Sequence, residues 1–334
     1  MALALFAKYV FTEMTKLIIQ IPCFNEEDAL PATLNALPRE IPGIDVIERL
    51  IIDDGSTDKT IEIAKSHGVE HIVKLPQNFG LARAFMAGIE KALDAGADVI
   101  VNTDADNQYC ADDIVTLITP VLSCHAEIVI GTRPINDIEH FSPIKKRLQR
   151  FGSWVVRNIS GTNITDAPSG FRAFSAEAAM RLNVFSNYTY TLETIIEAGQ
   201  RGISIISVPI RTNAPLRESR LIKNIPSYIL HSILTILRIY LYYKPLKMFV
   251  ILGSIPFTLG VVLGARYLSF FFEGTTRAHT PSLILAAILA LTGILLWMSG
   301  LIGDLQSVNR KLLEDIQLNQ RRKRYNAYRI QRDR

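Results

Sequence analysis

The sequence predicts an α/β fold: a mainly parallel sheet with helices on both faces, continued by an interfacial helix and a two-helix transmembrane hairpin. Three observations predict it. Short apolar, β-branched runs alternate with helical stretches between residues 17 and 210, the pattern of a parallel sheet. Two of those runs end in aspartate clusters, Asp53-Asp54 and Asp104-Ala105-Asp106, which gathers carboxylates on one sheet edge, where such folds bind ligands. Beyond residue 245, two apolar stretches are each long enough to cross a bilayer as a helix.

Residues 17–22 form a strand pattern closed by Pro22, and 23–28 a loop. Residues 29–37 read as a helix whose neighbouring acids complement its N-terminal dipole. A second strand, 46–52, leads into Asp53-Asp54-Gly55-Ser56-Thr57-Asp58. Helix 59–67 has Gly68 as its C-cap. Strand 71–75 precedes Asn78-Phe79-Gly80, from which a helix runs to residue 95 and stops at Gly96. The fourth strand begins at Val99 and delivers Asp104 and Asp106 to its carboxyl end. Then come helix 114–122, strand 127–130 ending in Gly131-Thr132-Arg133, and a loop over 134–143 placed to close over a bound donor. A basic helix over 145–159 is followed by the turn Asp166-Ala167-Pro168-Ser169-Gly170-Phe171-Arg172, a short strand, helix 191–199 and a last strand over 203–210.

Asp104 and Asp106, separated by the small Ala105, can point at one hard cation, and Gln108 adds a neutral oxygen. Oxygen-only ligands suit magnesium or manganese, which usually share their remaining positions with substrate phosphates. A solvated acidic turn would account for one such triplet. The polarity of loops does not account for carboxylates ending two separate strands.

With 334 residues, 49% hydrophobic and 20% charged, there is enough chain for one sizeable domain and a membrane segment. The net charge of +4 is unevenly placed, with an arginine-rich last stretch. That stretch has few aromatics and follows a hydrophobic hairpin, so nucleic acid is not an expected partner. Cys23, Cys110 and Cys124 are odd in number and form no Cys-x-x-Cys pair, which favours reduced thiols in a cytosolic setting. The first fifteen residues, with Lys8 and Glu13 among them, lack a signal-peptide pattern and read as cytosolic. Neither a Gly-x-x-x-x-Gly-Lys-Ser/Thr loop nor a Gly-x-Gly-x-x-Gly after the first strand is present, which argues against a P-loop ATPase and a standard dinucleotide fold. The histidines lie outside the strand-end motifs, which disfavours a Ser-His-Asp hydrolase.

The chain is expected to divide into a cytosolic domain over 1–215, a basic connector and amphipathic interfacial helix over 216–245, a transmembrane hairpin over 246–305 (spans near 246–272 and 282–303) and a basic tail over 306–334. Residues 225–243 set His231 and Arg238 among isoleucines, leucines and tyrosines, as in a helix lying in the membrane interface. Basic residues flank the hairpin heavily on the domain side and sparsely, at Arg277, on the other, which puts the first domain and both termini in the cytoplasm. Arg266, near the far end of the first span, can snorkel to the interface. The run Arg321-Arg322-Lys323-Arg324 is expected against anionic headgroups, with a solvated tail as the alternative. The hairpin also offers a surface for homo-oligomers. Two spans alone form no transport path.

Five ordered motifs carry a resemblance: Ile21-Pro22-Cys23-Phe24-Asn25-Glu26-Glu27, Asp53-Asp54-Gly55-Ser56-Thr57-Asp58, Asn78-Phe79-Gly80-Leu81, Asp104-Ala105-Asp106-Asn107-Gln108 and Ser169-Gly170-Phe171-Arg172. They resemble those of family 2 glycosyltransferases, and more narrowly the dolichol-phosphate-mannose-synthase-like polyprenyl-phosphate glycosyltransferases, over residues 16–215. The resemblance implies a glycosyltransferase A-type fold that binds a nucleotide sugar, UDP- or GDP-linked. It implies that Pro22, Asn25 and Glu26, with Asn78 and Gly80, line the nucleotide pocket and that Asp53 meets base or ribose. It further implies that Asp104, Asp106 and Gln108 hold the metal, and that Arg133, Arg147 and Ser153 meet phosphates, the acceptor's among them. Asn107 departs from the leucine common in the family, and Tyr188-Thr189-Tyr190-Thr191-Leu192-Glu193 also departs from the family's usual sequence.

A phosphate monoester with a second pKa near ~6 is already mostly dianionic at neutral pH, whereas a sugar hydroxyl needs a general base. The expected reaction is therefore in-line attack of a polyprenyl-phosphate oxygen on the anomeric carbon of a nucleotide sugar, with inversion. Asp104, Asp106, Arg133 and Arg147 carry it, while Asp166 and Arg172 fix the turn beside the site. The alternatives are extension of a lipid-linked glycan, for which Glu193 is the candidate base, and a membrane-anchored nucleotide-sugar-binding regulator without turnover.

Overall fold

The computed structural model describes residues 14–134, 143–184, 190–213, 237, 241, 244–272 and 280–332, with backbone alone for 143–151 and 330–332. The strands are β1 (Lys16–Cys23), β2 (Val46–Asp53), β3 (His71–Lys74), β4 (Val99–Asn102), β5 (Ile128–Thr132), β6 (Arg172–Ser175) and β7 (Ile205–Pro209). They form one sheet in the order β3-β2-β1-β4-β6-β5-β7. Every pairing is parallel except the two made by β6, which runs antiparallel to β4 and β5. That reversal positions the site. Arg172, the first residue of β6, pairs with Asn102 at the end of β4 and with Ile130 of β5, so the turn before β6 lies on the same edge as the Asp-x-Asp loop.

Helices α1 (Leu30–Ala36), α2 (Thr60–Ser66), α3 (Leu81–Asp94), α4 (Ile114–Leu122), α5 (Pro143–Ser160), α6 (Ala176–Arg181) and α7 (Thr191–Arg201) accompany the sheet. The interior strand β1 is buried from Leu17 to Cys23, as a strand covered on both faces must be. Leu17, Ile19 and Ile21 join Val99, Val101, Leu30 and Leu117 in one apolar cluster. On α3, Phe85, Ile89 and Ala92 are buried at helical spacing. Helix α6 is not foreseen in the sequence reading. Ser175 caps it, its Oγ accepting the Ala178 N–H at 3.1 Å. The acids expected to complement α1 stand ahead of its first turn, and Glu27 Oε2 instead accepts the Lys59 N–H at 3.1 Å.

Two further helices, α8 (Pro245–Phe272) and α9 (Thr280–Arg332), are long and apolar enough to cross a membrane. Glycines bring their backbones together: a Cβ on Gly253 would stand 2.7 Å from the Gly293 carbonyl, and one on Gly260 2.7 Å from that of Ala286. Small residues that permit such approach are the usual means of joining helices in lipid. Trp297 Nε1 donates to the Val250 carbonyl at 3.2 Å, closing the same seam. The predicted amphipathic helix over 225–243 and the lid loop over 134–143 lie largely outside the described residues.

The expected boundary at 306 leaves no break, since α9 runs through it to Arg332. Residues 317–334 group with the first 223 as one compact unit, and 224–316 form another. The tail arginines differ from expectation. Arg321 is 4% exposed; its guanidinium donates to Glu90 Oε1 at 2.8 and 2.5 Å and to the carbonyls of Met180 and Leu182 at 2.9 and 2.8 Å. Arg324 pairs with Glu90 at 2.9 Å, Arg322 with Glu177, and Tyr325 Oη donates to Asp98 at 3.0 Å. Carboxylates of α3 and α6 and two helix-end carbonyls thus take the place assigned to headgroup phosphates. Arg321→Ala should lower stability by about 2–3 kcal/mol, because it removes several charge-assisted bonds. Exposed Arg324→Ala should cost at most about 1 kcal/mol. Thermal denaturation of both variants in detergent checks this, and equal effects would contradict it.

Candidate active site

The loops after β1 and β2 are stitched together by side chains capping backbone amides. Asn25, at φ 54°, donates its N–H to Ser56 Oγ (2.9 Å), and its Oδ1 accepts the Thr57 N–H (2.8 Å). Glu26 N–H donates to Thr60 Oγ1 (2.9 Å), and Glu27 N–H to Asp58 Oδ2 (3.0 Å). Pro22 pairs with Ile52 one residue before β1 ends at Cys23. Next to them Asp53 is fully buried. Its Oδ1 accepts the Ser56 N–H at 3.1 Å, while Oδ2 is buried without a hydrogen-bond partner among the described residues. Asp54 faces the loop after β3 and accepts the N–H groups of Phe79 (2.8 Å) and Gly80 (2.9 Å). Gly55 makes this approach feasible: at φ +76° a Cβ there would meet the Gln77 carbonyl carbon at 2.6 Å. The Asn78–Gly80 segment is thereby held against Asp54 and Gly55.

At the end of β4, Asp106 Oδ1 accepts the Gln108 N–H at 3.2 Å, and Asn107 between them has φ 54°. Asparagine tolerates that left-handed backbone better than most side chains do. Arg133, just beyond β5, forks onto Asp166 with Nε to Oδ2 at 2.8 Å and Nη2 to Oδ1 at 2.9 Å. Asp166 is fully buried and holds the Arg133 guanidinium firmly in its charged form. Arg172 is also fully buried, donating to the carbonyls of Ser169 and Ala167 at 2.8 Å each and to Thr194 Oγ1 at 2.5 Å. Burial lowers its pKa to about 10, which leaves it charged at neutral pH. Ser153, on α5, is buried beneath the same turn, its Oγ accepting the Ala167 N–H at 3.3 Å. Arg147 lies on α5, in the stretch described by backbone alone. Glu193, the candidate base, is 6% exposed on α7.

Several residues that shape the site were not singled out from sequence. Asn102 takes the Gln20 amide proton on Oδ1 (2.9 Å) and donates from Nδ2 to the Gly170 carbonyl and Tyr190 Oη, both at 2.8 Å. A polar residue closing an apolar strand run was the available signal. Downstream of β7, Arg211 forks onto Asp113 at 2.7 and 3.0 Å, and Asn213 bonds the carbonyls of Asn107, Gln108 and Tyr109. These contacts clamp the Asp-x-Asp loop from outside.

The donor set fits a hard divalent cation. Burial, then the charge of Asp106, raises the Asp104 pKa to about 7, although Arg133 and Arg172 act the other way. Arg133 and Arg172 offset this mutual repulsion only in part, and a divalent cation would offset the rest. No set of three or more His, Cys, Asp or Glu side chains gathers around a metal position among the described residues, so further ligands would come from Gln108, phosphate oxygens or water. The sign of the effect on stability follows from linkage. With a folded value above the unfolded ~3.9, Asp104 binds its proton more tightly in the native state, so its contribution weakens as pH rises from about 4 to about 7. Asp104→Asn should therefore raise the Tm of the metal-free protein more at pH 8 than at pH 4.5. Thermal scans in EDTA test this, and a pH-independent difference would refute it.

Known proteins resemble this chain over its sheet-bearing part. The sequence profile described as glycosyl transferase family 2 matches residues 18–183. The UDP-N-acetylglucosamine–dolichyl-phosphate N-acetylglucosaminyltransferase of Methanococcus voltae is 33% identical over 213 residues, 58% of this chain and 83% of that protein. The undecaprenyl-phosphate mannosyltransferase of Micrococcus luteus is 30% identical over 200 residues, 57% of this chain and 80% of that protein. Among solved structures, glucosyl-3-phosphoglycerate synthase from Mycobacterium tuberculosis, in complex with Mn2+, UDP-glucose and phosphoglyceric acid, superimposes with a TM-score of 0.54 at 18% identity, over 68% of this chain and 79% of that one. That likeness establishes the glycosyltransferase A-type fold. The sequence matches establish the rest: the chain is a glycosyltransferase and belongs to glycosyl transferase family 2.

Proposed function

We propose that the chain transfers a sugar from a nucleotide sugar to a polyprenyl phosphate at the cytosolic membrane face, inverting the anomeric carbon. The observation that carries this is the sheet edge itself: Asp53, whose Oδ2 has no hydrogen-bond partner among the described residues, ends β2, and the Asp104–Asp106 pair follows β4, the two strands on either side of β1. Two relatives are named for transfer to lipid phosphates, which supports the acceptor class.

Asp53 Oδ2 accepts a donor hydrogen bond from base or ribose, with Pro22, Asn25, Glu26, Asn78 and Gly80 forming the pocket around it. Asp104, Asp106 and Gln108 would hold a magnesium or manganese ion, which when bound supplies Lewis-acid neutralisation of the leaving diphosphate. Arg133, aimed by its fork onto Asp166, and Arg147 on α5 hold the acceptor phosphate, and Ser153 supports the turn between them. The acceptor oxygen is already anionic, so these groups orient it and none needs to remove its proton. Helices α8 and α9 anchor the chain in the bilayer, with the catalytic domain and both termini on the basic, cytoplasmic side.

The test is a transfer assay on the full chain in detergent with magnesium or manganese. Radiolabelled UDP-glucose, UDP-N-acetylglucosamine and GDP-mannose are offered separately, each against undecaprenyl phosphate and undecaprenol. A lipid-extractable, mild-acid-labile product is expected with one donor and only with the phosphorylated lipid. It should fall by about 100-fold or more in Asp106→Ala, the scale of losing a preorganised charge-stabilising group. Equal transfer to undecaprenol would overturn the proposal.

A further inference from the structure

Gly170 sits against the Asp-x-Asp pair with every polar group of its own already engaged. Its N–H donates to Tyr109 Oη at 3.0 Å, and its carbonyl accepts from Asn102 Nδ2 at 2.8 Å and from Tyr190 Oη at 3.2 Å. A Cβ on Gly170 would stand 2.9 and 3.0 Å from the two carboxylate oxygens of Asp104. The Asp104 carboxylate therefore rests on the bare Cα of Gly170, and buried side chains hold that peptide from both ends.

Tyr109 completes the arrangement. It is 6% exposed and stacks on Phe171, with ring centroids 5.0 Å apart and an interplanar angle of 12°. Asn213 Nδ2 grips its carbonyl at 3.2 Å, and a bridge to Thr212 fixes its backbone. Phenylalanine would fill the same space and keep the stack, so packing alone does not call for a hydroxyl. The hydroxyl accepts the Gly170 N–H, which leaves its own proton to donate. The anion at the same peptide is Asp104, whose carboxylate oxygens stand against the Cα of Gly170 while the hydroxyl takes its N–H.

We infer that Tyr109 is a positioning residue for the Asp-x-Asp pair: it fixes the Asp104 carboxylate against the Gly170 peptide, so that β4 and the Ser169–Gly170 turn present one preorganised seat to a divalent cation. This rests on the divalent-ion reading proposed above and deepens it. Residues that hold metal ligands in place, without touching the metal, commonly account for 10–100-fold of metal affinity.

The test is Mn2+ titration of the full chain in detergent, without donor or acceptor, followed by the paramagnetic resonance of free Mn2+. Wild type, Tyr109→Phe, Gly170→Ala and Asp106→Ala are compared. Tyr109→Phe should keep the wild-type Tm and weaken Mn2+ binding about 10-fold. Gly170→Ala keeps the hydroxyl but sets a methyl against the Asp104 carboxylate. It should weaken binding at least as much, and serves if Tyr109→Phe does not fold. Wild-type affinity in both, alongside loss in Asp106→Ala, would overturn the positioning role and leave the cation reading standing. Wild-type affinity in Asp106→Ala would overturn the cation reading and this inference with it. A drop in the Tm of Tyr109→Phe large enough to explain its weaker binding would make the residue merely structural, which also overturns it.

Discussion

The side-chain amide of Asn102 ties together three parts of the chain that are distant in sequence. It meets Gln20 from the middle of β1, the carbonyl of Gly170 from the turn before β6, and the hydroxyl of Tyr190 from the start of α7. All of these groups are buried, so each must find its partner inside the protein. The amide has one acceptor and one double donor, and the arrangement uses both ends. The Asp-x-Asp loop begins at the next residue, so its starting point is fixed by a fully buried polar contact of the sheet.

Around that point the structure manages an excess of carboxylates in two ways. Where a carboxylate is structural, backbone amides or a guanidinium satisfy it, as at Asp54 with Phe79 and Gly80, Asp166 with Arg133, and Asp113 with Arg211. Where the proposed ligands would bind, the compensation is incomplete. Asp53 keeps one buried oxygen open, and Asp104 is pushed toward neutrality by burial and by Asp106. This contrast separates scaffold from site more sharply than the count of acidic residues does.

Much of this was legible in the sequence. A buried parallel strand reads as an apolar run, so β1, β2 and β4 and the loops at their carboxyl ends were found directly, together with the two long apolar helices. The reversed direction of β6 was not legible, because four residues carry no mark of strand polarity. Yet that reversal brings Gly170 to Asp104. The site residues divide in the same way. Asp53, Asp104 and Asp106 announce themselves as acids after strands, whereas Asn102 and Tyr109 act through contacts that only folding creates. The tail failed for a different reason. Arg321, Arg322 and Arg324 suit a phosphate surface and a carboxylate surface equally well by composition, and only Glu90, Glu177 and the carbonyls of Met180 and Leu182 decide between them.

The seating of Arg321 bears on how this protein can be cut into pieces. The usual choice for a soluble fragment would end after β7. A cut before Arg211 would release the outer clamp on the Asp-x-Asp loop, so Arg211, Thr212 and Asn213 belong inside any such fragment. Even then the fragment would lack residues 317–332 and would expose Glu90 and the carboxyl end of α6 to solvent. The first compact unit is discontinuous in sequence, with its last helical segment supplied from beyond residue 316. A fusion joining residue 213 to residue 317 through a flexible linker would restore that segment without the apolar helices.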